Sequence, residues 1–342
     1  MPFSPSPDKT VYDAAVTRYC EAVQTCAEVA AVFRFGRINK PGVSDLDLLV
    51  VVEDMPEHPS ALSARSVFAD NPAFLSLLLH DVAVLSVEDF RDLDMLYYVP
   101  TIDRVAGADI CRKALEAPWH DFALAANAID FAVPRMHRLL EFSRDRVNVQ
   151  FLMVLSYAAI HTCDIVGRLC GCPPRLAHFA EQARRRRALG RPETVGSACE
   201  FARESFLILS ICLGYVGHML GARRDPPEEA ALVEDARRAL TIFHPRRPPN
   251  GHPDRYLHHT RISVHPSLFW YFQAYARTET VVGRAARRRL DPNLPSQTQG
   301  MPEAFLTFIE RRCQSMDRRY SFLSTPGMEF SDMQVRPGFL VP

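Results

Sequence analysis

Two aspartates separated by one leucine have the clearest capacity for chemistry in this chain. Asp45 and Asp47 stand at the start of an apolar run that ends at Val52. Because side chains alternate between the two faces of a strand, residues two apart project from the same face. Paired carboxylates held in this way suit a divalent metal and a polyphosphate.

A strand before the pair, a loop and a strand after it must position these carboxylates. Residues 29–35 are rich in β-branched and aromatic side chains and end at Gly36, which predicts a strand closed by a turn. A short polar loop then leads through Ser44 into a second predicted strand over residues 46–52. Glu53 and Asp54 follow its far end, at least about 20 Å from Asp45 at the usual rise per residue, which is too far to share a metal.

The flanking sequence predicts a small mixed sheet with helices. Apolar spacing predicts a helix over residues 8–27 and another over 60–79, interrupted near Asn71. Residues 81–85 predict a third strand that begins with Asp81, and residues 97–105 a fourth. Between them, Ser86 is the expected N-cap of a helix with Asp89 at its third position.

From about residue 119 onward helical periodicity dominates. The expected helices cover residues 123–144, 147–169, 197–220, 228–243, 268–290 and 304–320. Residues 184–187, four arginines, are expected in a basic loop or at a helix end. The predicted fold class is therefore α+β, with a small mixed-sheet domain over residues 1–118 and a mainly helical domain over residues 119–342.

The composition is that of a folded protein with an uneven charge distribution. The 342 residues are 47% hydrophobic and 23% charged, which excludes wholesale disorder. Residues 1–118 carry 10 basic and 18 acidic side chains, a balance of −8, and the rest carry +8. A metal-binding domain beside an anion-facing domain would show this pattern. We favour the simpler explanation that a bias toward arginine spreads basic side chains over solvated surfaces.

Cysteine use and the apolar segments point to the cytoplasm. Nine scattered cysteines and no signal peptide within residues 1–10 predict a reducing compartment. Residues 147–160 and 206–220 are apolar but shorter than the roughly 18–20 residues that a membrane span needs. We interpret them as buried helices and expect no membrane role.

The order of these features resembles a known family. The chain begins with a helix and a strand ending in Gly36, and a loop then leads to Ser44-Asp45-Leu46-Asp47 at the head of a second strand. A third strand with an acid follows. This order resembles the nucleotidyltransferase superfamily with its DNA polymerase β-like fold. The short loop is closest in motif to small bacterial nucleotidyltransferases and glutamine-synthetase adenylyltransferases. The resemblance covers residues 8–118.

The resemblance implies a chemistry and a set of residues. Asp45 and Asp47 match the family's metal-ligating acids, and Asp81 best fits the third carboxylate, which would also act as general base. Two Mg²⁺ ions would then activate a nucleoside triphosphate such as ATP, a nucleoside monophosphate would pass to an acceptor hydroxyl, and pyrophosphate would leave. The phosphates would lie against a set of four residues: Gly36, Arg37, Lys40 and Ser44. Arg37 stands where the family often has serine.

Simpler roles compete at each of these positions. Asp45 and Asp47 could be turn residues, although the buried strand after them favours metal binding. Asp81 could be a strand-edge charge, and Arg37 and Lys40 could be solvated loop charges.

The sequence therefore leaves more than one function open. The leading hypothesis is a Mg²⁺-dependent nucleotidyltransferase whose helical domain binds the acceptor, with a small molecule favoured over RNA or protein. One alternative is a catalytically degenerate nucleotide-binding sensor or interaction module, and another is a toxin that modifies tRNA.

Two further groups of residues have weaker signals. One combines a histidine with three cysteines: His161, Cys163, Cys170 and Cys172. Their spacing matches no standard zinc site, so we favour a helix core for Cys163 and a helix end at Gly171. The other, between residues 244 and 265, is a loop rich in His, Pro and Arg, which we interpret as a surface connection rather than a binding loop.

Overall fold

The structure is a computed structural model, and it describes residues 8–36, 38, 41, 44–54, 56–78, 81–99, 101–142, 149–189, 194–220, 228, 230–234, 269–280, 283–284 and 302–323.

The sheet domain begins with a helix whose apolar side chains lie on one face. Helix α1 (Lys9–Val23) is capped by Asp8, whose carboxylate accepts from the Thr10 amide at 2.9 Å. The buried face of α1 repeats at helical spacing and consists of Tyr12, Ala15, Val16, Tyr19, Cys20 and Val23.

Four strands form one mixed sheet. They are β1 (Val29–Phe35), β2 (Asp47–Val52), β3 (Ala83–Ser86) and β4 (Ile102–Gly107), in the order β3-β2-β1-β4. Strand β1 is antiparallel to β2 and to β4, whereas β2 and β3 are parallel. The predicted α+β class with a small mixed sheet is confirmed.

A crossover joins the two parallel strands. It contains a 3-10 helix (Pro59–Leu62) and two one-turn helices, α2 (Ala64–Val67) and α3 (Pro72–Leu75). The predicted interruption of the 60–79 segment near Asn71 is confirmed, because Asn71 caps α3 with hydrogen bonds from the amides of Ala73 and Phe74. The segment is also broken at Ser63, which caps α2. After β3 come α4 (Val87–Arg91) and α5 (Leu93–Leu96). The Ser86 hydroxyl accepts from the Asp89 amide at 3.0 Å, so the predicted cap is confirmed.

The sheet separates two apolar clusters. Helix α1, α2 and alternate residues of β2, among them Leu48 and Val50, pack on one face. Leu49 and Val51 face the other side with Phe33 and Phe90. This alternation along β2 is the reason why side chains at its start separate onto two faces.

The second part of the chain is helical. Its helices are α6 (Trp119–Phe142), α7 (Val149–Cys170), α8 (Pro174–Leu189), α9 (Val195–Leu220), α10 (Phe269–Arg277) and α11 (Glu303–Leu323). Helix α8 was not expected, but residues 184–187 lie near its end, which confirms the helix-end alternative for the four arginines. The predicted helix over 268–290 ends at Arg277, and most of the predicted helix over 228–243 lies outside the described residues.

The chain divides into two compact units. The sheet unit comprises Met1–Glu116 and, of α11, the residues from Gln314 onward. The helical unit comprises Ala117–Cys313. Within the described residues, one segment, Leu152–Cys170, is long and apolar enough to cross a membrane, with a mean hydropathy of 1.2. A single such helix is weak evidence for a span, since core helices share its composition, and 61% of the tested window is buried in the protein.

Candidate functional site

The glycine at the end of β1 lies directly against one of the two predicted metal ligands. In the antiparallel register Phe35 is opposite Asp47, so Gly36 follows at the point where β2 begins. Gly36 has a φ of +74°, and its amide donates to the Thr101 carbonyl at 3.0 Å. A Cβ at Gly36 would lie 3.1 Å from Asp47 Oδ2. The turn therefore needs glycine both for its backbone angle and for the approach of the carboxylate.

The Asp47 carboxylate projects on the side of the sheet opposite to α1. Leu46 and Leu48 are buried in the cluster that contains α1. Asp47 lies between them and is half-buried, so strand alternation directs it to the other side. Asp45 is also half-buried, but it precedes the first residue of β2, so its projection from the same face as Asp47 stays a prediction.

The backbone on both sides of Asp45 is held in place. The Tyr12 hydroxyl donates to the Ser44 carbonyl oxygen, and the Leu46 amide donates to the Leu77 carbonyl at 2.8 Å. Ser44 is itself buried, at 5% exposure. These contacts fix the segment that carries Asp45 to α1 and to the crossover. The contribution of Tyr12 could not be read from the sequence, because it joins residues 32 positions apart.

Asp81 lies near the start of β3 but serves a different contact. Its Oδ1 accepts from the amides of Ala64 and Val82, each at 2.8 Å, and its Oδ2 accepts from the Ser63 hydroxyl at 2.5 Å. Ser63 is the N-cap of α2, so the Asp81 carboxylate holds the beginning of that helix. Ala64 packs in the cluster of α1, which is the face of the sheet opposite to Asp47.

The predicted third ligand is therefore not grouped with the other two. Strand β3 begins only at Ala83, so the alternation that would turn Asp81 toward Asp47 does not extend to it. Among the residues that the structure describes, no set of three or more His, Cys, Asp or Glu side chains is arranged to hold a metal ion. The role of Asp81 as a metal ligand or base stays a prediction.

Two of the predicted phosphate ligands, Arg37 and Lys40, lie outside the described residues, as does the loop between residues 244 and 265. The one basic residue of β1, Arg34, contacts Asp103 at 3.2 Å and Asp13 at 3.9 Å. Because Asp13 belongs to α1, Arg34 serves the face of the sheet away from Asp47.

Two carboxylates beside a glycine turn match the ligand preference of Mg²⁺. This ion takes oxygen ligands and is commonly bound by one or two carboxylates together with waters and substrate phosphates. Asp45 and Asp47 provide such oxygens on a half-buried surface, so they fit this ion when a phosphate substrate completes the shell.

A cavity of about 400 Å³ lies at the opposite end of β2. Glu53, Asp54, Ser86 and Glu88 line it together with Arg318 of α11. Arg318 is 2.9 Å from Asp92 and 3.7 Å from Glu88, so ion pairs hold part of its acidic rim. This cavity belongs to the carboxyl ends of β2 and β3 and is distinct from the Asp45–Asp47 pair.

The His and Cys residues of α7 lie in two environments. Cys163 is buried with its Sγ 4.0 Å from that of Cys212 on α9, whereas Cys170 and Cys172 are exposed. His161 packs instead against the ring of Phe131, with the ring centroids 4.4 Å apart. Helix α7 ends before Gly171, which has a φ of +73°.

The four arginines of α8 are engaged in contacts within the helical unit. Arg184 is 2.5 Å from Asp164, and Arg185 pairs with Glu181. Arg186 donates to the Ser197 hydroxyl at 2.5 Å and lies over Phe201, and Arg187 lies over the ring of Tyr157.

Comparison with known proteins adds no family: no protein-family model, no curated protein and no solved structure matches this chain.

Proposed function

We propose that this protein is a Mg²⁺-dependent nucleotidyltransferase. It transfers a nucleoside monophosphate from a nucleoside triphosphate such as ATP to a hydroxyl group of an acceptor, and pyrophosphate is released. The observation that carries the proposal is the contact of the Gly36 turn with the Asp47 carboxylate at the start of β2. A backbone turn without a side chain beside two half-buried carboxylates gives a triphosphate room to approach a metal.

The residues of the pair would bind and orient. Asp45 and Asp47 would hold Mg²⁺, which when bound neutralises phosphate charge and activates the attacking oxygen. Tyr12 and Leu46 keep the backbone of Asp45 in position through their hydrogen bonds. In this proposal Gly36 and Ser44 lie along the phosphates, and Arg37 and Lys40 contribute positive charge to them.

Asp81 has a separate place in the proposal. As a third ligand or general base it would have to take on that role beside its hydrogen bonds from Ser63 and Ala64. We therefore assign the binding of the metal to Asp45 and Asp47, and the holding of α2 to Asp81.

A small molecule remains the favoured acceptor. A run of arginines such as residues 184–187 would favour RNA as the acceptor if it were free to bind phosphates. Those side chains instead contact Asp164, Glu181, Ser197, Phe201 and Tyr157. The cytoplasm is the proposed compartment, supported by nine cysteines that are all described and all free thiols.

Labelled nucleotides test this activity. Purified full-length protein is incubated with Mg²⁺, an extract of metabolites, RNA and protein, and each α-labelled nucleoside triphosphate in turn. We expect label in the acceptor fraction, and a loss of at least about 100-fold for Asp47→Asn, as when a group that stabilises transition-state charge is removed.

Asp54→Asn is the matched control, because it removes an acid from the opposite end of the same strand. It should label at the wild-type rate. Transfer by Asp47→Asn at the wild-type rate, or no label in any fraction with any nucleotide, would contradict the proposal.

The degenerate nucleotide-binding module is the second candidate, favoured by the engagement of Asp81 in hydrogen bonds. It predicts Mg²⁺-dependent binding of a triphosphate without labelling. A tRNA-modifying toxin would instead place the label in RNA, and its expression would inhibit growth unless Asp47 is replaced.

A further inference from the structure

A half-buried aromatic ring lies beside the carboxylate that we assign to metal binding. In the register of β1 and β2, Phe35 is directly opposite Asp47. Phe35 packs against the apolar cluster on the face of the sheet away from α1, and strand alternation directs Asp47 to that face too. Side chains directly opposite each other in an antiparallel pair have Cβ atoms about 4.5–5.5 Å apart. The ring and the carboxylate are therefore neighbours on one surface.

This surface continues from Phe35 onto the edge strand. Ile102, the first residue of β4, is opposite Phe35 on its other side and belongs to the same cluster. Asp47, Phe35 and Ile102 are all half-buried. The row thus runs from an acid through an aromatic ring to an aliphatic side chain, and each member keeps part of its surface accessible.

Phe35 differs from the other phenylalanine of β1. Phe33 is buried, and its ring stacks on that of Phe90 with the centroids 4.4 Å apart. Among the residues that the structure describes, no aromatic ring is paired with Phe35. Because aromatic rings attract one another in offset-stacked arrangements, the accessible part of the Phe35 ring is a surface that a planar ligand would cover favourably.

The turn after Phe35 connects this ring to the proposed phosphate site. Gly36 carries no side chain, and a Cβ there would lie 3.1 Å from Asp47 Oδ2. In a nucleotide, one sugar joins the planar base to the first phosphate. A phosphate bound to a metal at Asp47 would therefore place the base within reach of the Phe35 ring.

We propose that Phe35, with Ile102 beside it, is the platform on which the base of the nucleoside triphosphate stacks, and that this base is a purine. The inference rests on the nucleotidyltransferase function proposed above and specifies its substrate. A purine suits the platform better than a pyrimidine because stacking on an aromatic side chain gains with the area of overlap. Adjacent strands are about 4.8 Å apart, so two fused rings can cover Phe35 and still contact Ile102, whereas one ring covers only one of them.

Isothermal titration calorimetry on the full chain tests the platform, with Mg²⁺ present and no acceptor. The probes are ATP, GTP, CTP, UTP and inorganic tripolyphosphate, which carries the phosphates without a base. We expect wild type to bind ATP and GTP about tenfold more tightly than CTP, UTP and tripolyphosphate, as the added stacking of one base implies.

Two variants of Phe35 separate the ring from the phosphate site. Phe35→Leu keeps an apolar side chain but removes the ring, so it should bind ATP about tenfold more weakly than wild type does. Its Kd for tripolyphosphate should be unchanged, which also shows that the variant is folded. Phe35→Tyr keeps a ring and should bind ATP with the wild-type Kd. The matched control is Phe74→Leu, which changes a half-buried phenylalanine on the α1 side of the sheet and should leave every Kd unchanged.

Two results would overturn this inference alone, provided that tripolyphosphate binds and that Asp47→Asn weakens its binding. They are equal Kd values of wild type for purine and pyrimidine triphosphates, and an unchanged Kd for ATP in Phe35→Leu. The first needs no variant, so it decides the matter even if Phe35→Leu does not fold. Absence of Asp47-dependent binding of tripolyphosphate would instead remove the metal site of the proposed function, and the platform with it.

Discussion

Asp47 in the sheet unit and Asp130 in the helical unit show two ways in which this protein holds a carboxylate. Asp47 is half-buried at the start of β2, with the Gly36 backbone against one of its oxygens. Asp130 lies on α6, where Arg312 contacts one oxygen at 2.7 Å and the Tyr271 hydroxyl donates to the other at 3.1 Å. The environment, rather than the residue type, separates an acid suited to ligand binding from one that holds helices together.

Asp81 lies between these two cases. It is half-buried like Asp47, yet both of its oxygens accept hydrogen bonds, as those of Asp130 do. The comparison therefore predicts that substitutions at the three sites differ in the ratio of lost stability to lost activity.

Removal of Arg312 should have the largest effect on stability. Arg312→Met leaves the buried carboxylate of Asp130 without its cation, which we expect to lower the free energy of unfolding by about 3–5 kcal/mol at pH 8. Urea unfolding followed by circular dichroism measures it. The control is Arg184→Met, which breaks an exposed pair with Asp164 and should cost less than about 1 kcal/mol. Equal losses in the two variants would remove the distinction between the pairs.

The loss in Arg312→Met should depend on pH in one direction. Burial raises the pKa of Asp130 to about 6, against the lowering effect of Arg312. This folded-state pKa lies above the unfolded value of 3.8. The contribution of Asp130 to stability is therefore complete below pH 3.8 and is lost as the pH rises through about 6. Without Arg312 the pKa of Asp130 rises further, so the deficit of the variant should be smaller at pH 5 than at pH 8.

Substitution of Asp81 should have an intermediate effect on stability. Asp81→Ala removes the acceptor of the Ser63 hydroxyl and the Ala64 amide, and it should cost about 1–3 kcal/mol of unfolding free energy. Asp47→Ala, at a half-exposed position, should cost less than about 1 kcal/mol and abolish labelling. Asp81→Asn decides the role of this residue, because it keeps an oxygen for the amides but loses the charge. If Asp81→Asn labels the acceptor at the wild-type rate, Asp81 acts only by holding the start of α2. If labelling is lost, Asp81 is a metal ligand or general base.

A small effect on stability is expected at Gly36, where a second glycine provides a matched control. Gly36 and Gly171 have φ angles of +74° and +73°, so alanine should cost each position about 1 kcal/mol of backbone strain. Only at Gly36 would the new methyl group meet a side chain, Asp47 Oδ2 at 3.1 Å, whereas nothing lies within 4 Å at Gly171. We expect Gly36→Ala to need more Mg²⁺ for half-maximal labelling and Gly171→Ala to match wild type. Identical Mg²⁺ dependence in both variants would show that Gly36 is not part of the proposed metal site.

Local patterns in the sequence predicted the parts of the fold that depend on local physics. Continuous apolar runs identified β1 and β2, and the N-cap Ser86 identified the start of α4. Helix α8 was missed because the many arginines near its end hide its apolar positions, although Leu176, Phe179, Ala180 and Ala183 are buried at helical spacing.

The site was predictable only where strand alternation applies. The face on which Asp47 projects follows from its position between the buried Leu46 and Leu48. The place of Asp81 does not follow, because the choice between Asp47 and Ser63 as neighbours depends on where β3 begins and on the position of α2. Long-range contacts of this kind leave no periodic signal in a single sequence.

The order of the strands also has a consequence for how the chain folds. Strands β1 and β2 are separated by one short loop, whereas β3 and β4 join them only after the crossover and the segment beyond it have been closed. Because the entropy of loop closure grows with the separation of the contacting residues, we expect the β1–β2 ladder to form first and the long-range pairings to limit the folding rate. Gly36 and Asp47 are brought together by that first ladder. A chain emerging from the ribosome would thus assemble the core of its acidic site before either edge strand has docked.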